Sequence, residues 1–302
     1  MSGPFAPPER VGFVGLGQMG APMARNLARA GFRLALLDSR AGAAAALGID
    51  ADLPADAAAL GAACRVAVTM LPDGAVVRDV VLGERGLAAG LAPGSVIIDM
   101  SSSSPMGTRA LGETLAGRGI ALVDAPVSGG VKRAVDGSLA IMAGGDAAVI
   151  ERCQAVLAAM GRQIFATGPL GSGHAMKALN NYVSAAGLAA AVEAVLAGSR
   201  FGLDPQTVVG VLNASTGRNN STENKFPQFI LPRNFASGFS LGLMVKDLRT
   251  ALDVAHATGT PAPLAESVVA AWADAERLLG PQADHTAVVR YWEALAEEQG
   301  RA

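Results

Sequence analysis

A lysine and two asparagines begin an otherwise apolar stretch in the middle of the chain, GHAMKALNNYVSAAGLAAAVEAVLAG (173–198). On an α-helix, residues three, four and seven positions apart share one face. The segment therefore carries a polar stripe, made by Lys177, Asn180, Asn181 and Ser184. Such a lysine suits acid–base chemistry, because burial in an apolar wall lowers its pKa from the usual value of about 10.4. The alternative is a helix-end lysine whose ammonium extends into water.

A glycine-rich loop near the N-terminus supplies a second element of chemistry. VGFVGLGQMGAPMARNLARAGF (11–32) contains G-x-G-x-x-G between a predicted strand and a predicted helix. In that setting the glycines allow a tight turn, close approach of a pyrophosphate and close packing of the helix on the strand, and the helix N-terminus attracts phosphate. The predicted dinucleotide loop consists of Gly15, Leu16, Gly17, Gln18, Met19 and Gly20.

The second predicted strand ends at Asp38, about 20 residues after the loop. Its carboxylate can accept hydrogen bonds from an adenosine ribose and repels a 2′-phosphate, so NAD is favoured over NADP. Arg40 follows two residues later and would soften this preference, which keeps NADP as an alternative cofactor.

The glycine loop and the polar stripe together predict the oxidation of an alcohol. This reaction needs a hydride acceptor, which is the nicotinamide, and a base for the hydroxyl proton. Lys177 can be that base when part of its population is neutral, and the positive nicotinamide ring lowers its pKa further. In the reverse direction the ammonium donates the proton and polarises the carbonyl, while Asn181 holds the hydroxyl group in line.

The elements that must position these residues follow two different patterns. Residues 10–168 alternate short, near-continuous apolar runs with helical stretches, which is the βαβ signature of a doubly wound, mostly parallel sheet. The predicted strands are 11–16, 33–38, 66–71, 95–100, 121–127, 139–145 and 164–168. From about residue 169 the strand-like runs end, and long Ala- and Leu-rich segments predict helices at 173–200, 205–214, 240–258, 262–279 and 285–298.

These patterns predict an α/β Rossmann domain over residues 1–168 and an all-helical domain over 169–302. The boundary is placed in the turn-rich stretch GPLGSG (168–173). Residues 1–9 are predicted to be a loose tail, because they contain adjacent prolines and no apolar run that would resemble a signal peptide.

Three predicted strand ends carry residues that suit a ligand, since open α/β sheets bind ligands beyond the carboxyl ends of their strands. They are TMLPD (69–73), DMSSSSP (99–105) and DAPVSGG (124–130). The glycines of the third leave room for a ligand and expose N–H groups that suit a carboxylate. Each stretch alone is equally consistent with an ordinary turn, but three of them beside a dinucleotide loop favour a site. The residues concerned are Leu71, Pro72, Ser102, Ser128, Gly129 and Gly130.

Four motifs resemble those of the β-hydroxyacid dehydrogenase family, which includes 3-hydroxyisobutyrate dehydrogenases, tartronate semialdehyde reductases and L-threonate dehydrogenases. They are GFVGLGQMGAPMARNL (12–27), DAPVSGGVKRAVDGSLAIMAGG (124–145), GSGHAMKALNN (171–181) and FSLGLMVKDL (239–248), and the similarity spans about residues 10–298. The resemblance implies that a long helix joins the two domains and that the chain forms a homodimer or homotetramer.

The resemblance also implies roles for individual residues. Lys177 matches the catalytic lysine, Asn181 a substrate-binding residue, and Ser128, Gly129 and Gly130 the group that holds the substrate carboxylate. Ser102 lies where the family has a cofactor-contacting threonine, and Phe239 and Lys246 lie where its second domain closes over the nicotinamide. For Lys246, an ion pair with Asp247 is the structural alternative.

Two departures from the family pattern bear on the substrate. Arg133 replaces the small residue that usually follows the SGG motif, and STGRNNSTENKFP (215–227) differs from the segment of 3-hydroxyisobutyrate enzymes. Arg133 is either a solvated surface residue or a contact to a second anionic or polar group of the substrate. These features favour a polar hydroxy acid such as threonate or glycerate. The competing functions are a semialdehyde or imine reductase that uses NADPH, and a non-catalytic dinucleotide-binding protein.

Composition excludes several other classes of protein. The net charge of −2 offers no basic surface for nucleic acid. The three histidines and two cysteines lack metal-binding spacing, so no metal site is predicted, and His174 is interpreted as a surface residue near a helix start. Two isolated cysteines fit the cytoplasm. The uncharged run 178–192 is shorter than the roughly 18 residues that a membrane span needs, so no membrane partner is expected.

Overall fold

The structure, a computed structural model, describes residues 3–301, with side chains for residues 3–298. The contacts within the chain divide it into two compact units, Met1–Lys177 and Ala178–Ala302. The division falls inside a long helix, whereas the predicted boundary at residues 168–169 lies just before that helix begins.

The first unit is built on one twisted sheet of eight strands in the order β2-β1-β3-β4-β5-β7-β6, with β8 on the other side of β7. Strands β1 to β5 are parallel to one another. Strand β7 pairs with β5 in the antiparallel direction. This arrangement confirms the predicted α/β class with a mostly parallel sheet. The strands are β1 (Arg10–Val14), β2 (Arg33–Leu37), β3 (Val66–Thr69), β4 (Val96–Asp99), β5 (Ala121–Asp124), β6 (Val127–Ser128), β7 (Leu139–Gly144) and β8 (Gly161–Gly168).

The predicted strand 121–127 is two strands in the structure. β5 continues the parallel part of the sheet, and β6 pairs in the antiparallel direction with β7. Pro126 lies between them, and a proline cannot donate a hydrogen bond to a strand ladder, so the pairing is interrupted there. The interruption directs Ser128 and its glycines away from the line of β5.

Helices connect these strands, and the central ones cover apolar faces of the sheet. Strands β3 and β4 are buried along their whole length, as a sheet covered on both faces requires. The helices of the first unit are α1 (Gly20–Arg29), α2 (Ala57–Ala63), α3 (Gly74–Leu82), α4 (Leu87–Gly90), α5 (Pro105–Ala116), α6 (Gly130–Asp136), α7 (Ala147–Arg152) and α8 (Gln154–Ala158), with a 3-10 turn at Ala45–Leu47.

The predicted loose tail is anchored at Phe5, and residues 1 and 2 lie outside the described part of the chain. Phe5 is fully buried, and its backbone N–H donates to Arg152 O at 2.9 Å. The guanidinium groups of Arg65 and Arg152 lie over its ring at 5.7 and 4.8 Å from the centroid. A single aromatic side chain with two cation–π partners therefore anchors a segment whose prolines indicated a tail.

The second unit is helical, as predicted for this half of the chain. Its core surrounds the fully buried Trp272 and includes apolar residues of every long helix. The helices are α9 (Ser172–Phe201, which begins in the first unit), α10 (Pro205–Ala214), a π-helix (Ser221–Ile230), α11 (Leu241–Ala257), α12 (Pro263–Leu279), a 3-10 helix (His285–Val288) and α13 (Val289–Arg301). The π-helix was not predicted, because its five-residue hydrogen-bond step gives an apolar spacing unlike that of an α-helix.

Helix α9 is long and apolar enough to cross a membrane by length and composition alone. A core helix of a soluble protein meets the same criterion, and α9 contributes Leu188, Val192 and Val195 to the core of the second unit. Of the apolar 18-residue window of α9, 33% is buried within the structure.

Candidate functional site

The glycine loop has the geometry that a dinucleotide pyrophosphate needs. Gly15 has φ of +96°, and a Cβ there would lie 2.3 Å from Met70 O. A Cβ on Gly20 would lie 1.9 Å from Gly15 O, so only glycine lets α1 begin this close to β1. A Cβ on Gly17 would meet nothing within 4 Å, and Gly17 and Gln18 are exposed. The loop is thus closed on the sheet side and open on the other, which fits a bound pyrophosphate at the start of α1.

The loop lies where the strand order reverses, between β1 and β3. Met70 N donates to Val14 O at 2.9 Å, and the carbonyl of Met70 faces Gly15. In open α/β sheets this point of reversal, at the carboxyl ends of the strands, is where ligands bind. The predicted cofactor residues Leu71 and Pro72 follow directly on β3, and Leu71 Cδ2 is one of the atoms that a Gly15 side chain would strike.

Asp38 lies at the end of β2 and is tied to the glycine loop. Its Oδ2 accepts from Leu16 N at 2.7 Å, and its Oδ1 accepts from Arg40 N and Arg40 Nε at 2.9 and 3.0 Å. Arg40 in turn donates to Leu16 O at 2.9 Å. Burial raises the pKa of Asp38, but the hydrogen bonds from Arg40 and Leu16 outweigh it and hold the pKa below its usual value. A carboxylate and a guanidinium therefore lie together at the ribose end of the predicted cofactor site.

The second strand end is organised by Asp99, whose side chain is 2% exposed. Asp99 Oδ1 accepts from Thr69 Oγ1 and from Ser101 N, and Oδ2 accepts from Ser103 Oγ, at 2.9 to 3.0 Å. Ser101 Oγ then accepts from Leu71 N at 2.9 Å, which joins this strand end to that of β3. Ser102, the predicted cofactor contact, is the partly exposed residue between two buried serines.

The third strand end brings the predicted carboxylate-binding residues into one turn. Ser128 ends β6, and Gly129 and Gly130 have φ of +130° and +66°, a conformation that favours glycine. Arg133 lies on the first turn of α6 and folds back over this turn, so that a Cβ on Gly129 would lie 2.4 Å from Arg133 Cδ. The structure therefore places Arg133 beside the predicted carboxylate site. Its side chain is exposed, as the solvated interpretation also requires.

The start of α9 is anchored to the sheet by a buried carboxylate. Asp124, at the end of β5, is fully buried and accepts from Gly171 N at 2.7 Å and from His174 N at 2.8 Å. A Cβ on Gly173 would lie 2.1 Å from Met142 O, so glycine is needed for this approach. Lys177 follows three residues after His174, and its position is set by this first turn.

The prediction that His174 is a surface residue is wrong, because its imidazole is fully buried between two strand ends. The Thr108 hydroxyl oxygen lies 2.8 Å from His174 Nδ1 and 3.0 Å from the backbone carbonyl oxygen of Ser104. His174 Nε2 faces a backbone carbonyl at 3.1 Å, which can only accept. The two ring nitrogens lie 3.7 and 3.8 Å from carboxylate oxygens of Asp99 and Asp124.

Asn181 belongs to the second unit, where it is buried and oriented by a carboxylate. Its Nδ2 donates to Asp247 Oδ2 at 2.6 Å, and its Oδ1 accepts from Asn180 Nδ2 at 3.2 Å. The amide keeps one N–H and one oxygen lone pair for a ligand. Asp247 also pairs with Lys246 at 3.6 Å, which is the structural alternative noted for that lysine. Phe239, the other predicted residue here, packs edge-on against the His285 ring.

One buried lysine, Lys225, was not predicted from the sequence. Lys225 lies in the π-helix and is 9% exposed, and its Nζ donates to Ser184 Oγ at 2.9 Å. Ser184 is the last residue of the polar stripe on α9, so the stripe has a cation that lies 41 residues away along the chain. No spacing rule points to that pairing, because the π-helix does not share the α-helical period. Within residues 3–301, no three His, Cys, Asp or Glu side chains form a group that could hold a metal ion.

Comparisons with known proteins agree on both halves of the chain. Residues 10–168 match the model of the NAD binding domain of 6-phosphogluconate dehydrogenase. Residues 171–292 match the model described as NAD-binding of NADP-dependent 3-hydroxyisobutyrate dehydrogenase. Together the two models cover nearly all of the described chain.

Three similar proteins illustrate the range of relatives. The chain is 36% identical to 2-(hydroxymethyl)glutarate dehydrogenase of Eubacterium barkeri, over 95% of each chain. It is 36% identical to NAD-dependent L-serine dehydrogenase of Pseudomonas aeruginosa, over 85% of this chain and 88% of that one. A solved structure of Mycobacterium tuberculosis 3-hydroxyisobutyrate dehydrogenase with L-serine superposes with a TM-score of 0.86 at 33% identity, covering 93% of this chain and 98% of that one.

Proposed function

We propose that this chain, which belongs to the β-hydroxyacid dehydrogenase family and is an NAD(P)-dependent oxidoreductase, oxidises the hydroxyl group of a small β-hydroxy acid with Lys177 as general acid and base. The observation that carries the proposal is the buried anchor of α9. Asp124, at the carboxyl end of β5, holds the start of the helix by two backbone N–H groups, and Lys177 follows three residues after the second of them. General acid–base catalysis depends on such fixed placement.

Different residues of the first unit would bind the cofactor and the carboxylate of the substrate. The loop from Gly15 to Gly20 would hold the pyrophosphate of NAD(P), and Asp38 would accept from the adenosine ribose. Bound NAD(P) supplies the hydride acceptor for the oxidation. The N–H groups of Gly129 and Gly130 and the hydroxyl of Ser128 would bind the substrate carboxylate, because amides in a turn of positive φ form a concave anion site.

Proton transfer is assigned to Lys177 and alignment of the hydroxyl to Asn181. The free N–H and lone pair of the Asn181 amide suit a hydroxyl group, which both donates and accepts. Neutral Lys177 removes the hydroxyl proton during oxidation, and its ammonium returns a proton to the oxygen during reduction. Arg133, folded over Gly129, would contact further oxygens of a polar substrate such as threonate or glycerate.

A substrate screen tests the proposal directly. NAD(P)H formation is followed at about 340 nm (the nicotinamide absorbance) with 3-hydroxyisobutyrate, L-serine, L-threonate, D-glycerate, 3-phenylserine and 2-(hydroxymethyl)glutarate. Turnover of at least one of these hydroxy acids is expected. Dinucleotide binding without turnover of any of them would instead indicate a non-catalytic dinucleotide-binding protein. Reduction of semialdehydes or imines by NADPH, with no oxidation, would indicate the reductase alternative.

The cofactor preference is expected to depend on the pair Asp38–Arg40. The wild type should favour NAD, because the ionised Asp38 repels a 2′-phosphate. Replacing Asp38 with serine removes this repulsion and leaves Arg40 to meet the phosphate, so the ratio of kcat/KM for NADP to that for NAD should rise at least about tenfold. Steady-state kinetics with each cofactor measure the ratio. The matched change Arg40→Leu should lower the ratio, and an unchanged ratio in both variants would contradict the assignment.

We also propose a cytoplasmic homo-oligomer. The two cysteines are buried free thiols, as expected in a reducing compartment. The second unit exposes several large apolar side chains, which contact between copies of the chain would bury. The most exposed are Phe201, Val183, Leu264 and Val211. Light scattering after size exclusion is expected to give twice or four times the 30.4 kDa of the chain, and a monomer at micromolar concentration would contradict this expectation.

A further inference from the structure

Lys225 is a buried cation that the proposed mechanism does not use. Its side chain is in the second unit, and within the described residues its one hydrogen bond goes to the neutral hydroxyl of Ser184. Asp284 attracts it through space without forming an ion pair. The Asp284 carboxylate is already occupied, because it accepts from Ser237 Oγ, Gly238 N and Thr286 N at 2.8 to 2.9 Å.

Burying an ammonium without an anion is unfavourable, and the pKa of Lys225 reports this cost. Burial lowers the pKa to about 8, although the charge of Asp284 opposes the shift. The side chain is still mostly an ammonium at neutral pH, and two of its three N–H donors have no partner among residues 3–298. An apolar residue of similar length would be more stable here, so the lysine needs a reason beyond folding.

Two features place Lys225 beside the residues assigned to the substrate. Ser184 lies three residues after Asn181 on the same face of α9, which is about 4.5 Å along the helix axis. Lys225 is carried by the π-helix, a rare conformation that is frequently found at functional sites. Its ammonium therefore lies about one helical turn beyond the amide that would align the reacting hydroxyl.

We propose that Lys225, together with Ser184, binds a second carboxylate on the substrate, at the far end of its side chain. The inference rests on the proposed function, because Asn181 marks the position of the hydroxyl group. A carboxylate would supply the charge-assisted partners that the ammonium lacks. The same site rejects a substrate that ends in a methyl group, since that substrate leaves the buried cation unpaired. The chain would thus favour a hydroxy acid with a terminal second carboxylate over one that ends in a methyl group.

A matched pair of substrates tests this selectivity. The ratio of kcat/KM for 2-(hydroxymethyl)glutarate to that for 2-(hydroxymethyl)pentanoate is measured, since the two differ in a terminal carboxylate against a terminal methyl group. The wild type should favour the diacid, and Lys225→Met should lower the ratio at least about tenfold. Ser184→Ala, a milder change in the same pair, should lower it less. Lys132→Met, which removes an exposed lysine from α6, should leave the ratio as in the wild type.

The outcomes separate this inference from the proposed function. If the ratio of kcat/KM for the diacid to that for the monoacid is equal in the wild type and Lys225→Met, the inference is overturned. The enzyme would still be a hydroxy acid dehydrogenase. If the wild type turns over no hydroxy acid, the proposed function fails, and the shift in unfolding temperature caused by each acid with saturating NAD decides the role of Lys225. Stabilisation by the diacid alone that is lost in Lys225→Met supports the site, and equal shifts in both proteins overturn it.

Discussion

Replacing Lys177 with methionine should lower kcat by about 10²- to 10⁴-fold, which is the usual contribution of one general acid–base group. Methionine preserves the length of the side chain and removes its titratable amine. Because Lys177 is not part of the glycine loop, the affinity for NAD should stay close to that of the wild type. Stopped-flow measurement of the first turnover is the appropriate assay, since it reports the chemical step even if product release limits kcat.

The control for Lys177 is its neighbour Met176, which is 43% exposed. One residue along an α-helix is a rotation of about 100°, so Met176 points away from the face that carries Lys177. Met176→Ala should therefore keep wild-type kcat. A second readout is the pH profile, in which the limb caused by deprotonation of the lysine should disappear in Lys177→Met. Full activity of this variant, or an unchanged profile, would overturn the assignment of Lys177.

The parts of the fold that depend on local spacing were predictable from the sequence. The glycine loop is one case, because Gly20 packs against Gly15 and Phe13 of the same strand–turn–helix unit, although Gly15 itself meets the distant Met70. The strands of the first unit are another, since a buried strand needs a continuous apolar run wherever it lies in the sheet. The predicted strand 121–127 is divided at Pro126, and this division could have been predicted from the proline.

The buried polar residues were not predictable, because their partners lie far away along the chain. His174 resembles any histidine near a helix start, and its burial depends on Asp124, 50 residues earlier, and on Thr108, 66 residues earlier. Lys225 resembles a surface lysine next to a proline-containing stretch, and its burial depends on the unusual period of the π-helix. In both cases the polar residue type favours the surface, and tertiary packing overrides that preference.

Asp124→Asn is expected to destabilise the chain by about 3 kcal/mol. Each oxygen of the Asp124 carboxylate accepts one backbone N–H at the start of α9, and hydrogen bonds to a buried charge contribute about 1.5 to 3 kcal/mol each. An asparagine keeps one acceptor and turns an NH₂ group toward the other N–H, so two donors face each other without water. The change also alters the carboxylate that lies 3.8 Å from His174 Nδ1.

Asp146→Asn is the matched control, because it makes the same chemical change at an exposed helix start. Asp146 caps α7 with a single oxygen, Oδ1, which accepts from Ala148 N and Val149 N at 2.9 and 3.1 Å. Asparagine retains that oxygen and is about as good a cap as aspartate, so the cost should be below about 1 kcal/mol. Urea unfolding monitored by circular dichroism measures the free energy of unfolding of both variants. In a thermal scan, the unfolding temperature of Asp124→Asn should fall by roughly 6–12 °C.

The same variant links stability to catalysis through the position of Lys177. If the first turn of α9 shifts when Asp124 loses one bond, Lys177 moves with it, and misplacement of a catalytic group by about 1 Å costs about 10²-fold in rate. The NAD affinity of Asp124→Asn should be retained, because the glycine loop lies at the ends of β1 and β3 rather than at β5. Asp124→Asn with the stability and kcat of Asp146→Asn would show that the start of α9 is held by its other contacts. The anchor would then no longer support Lys177 as the proton-transfer residue.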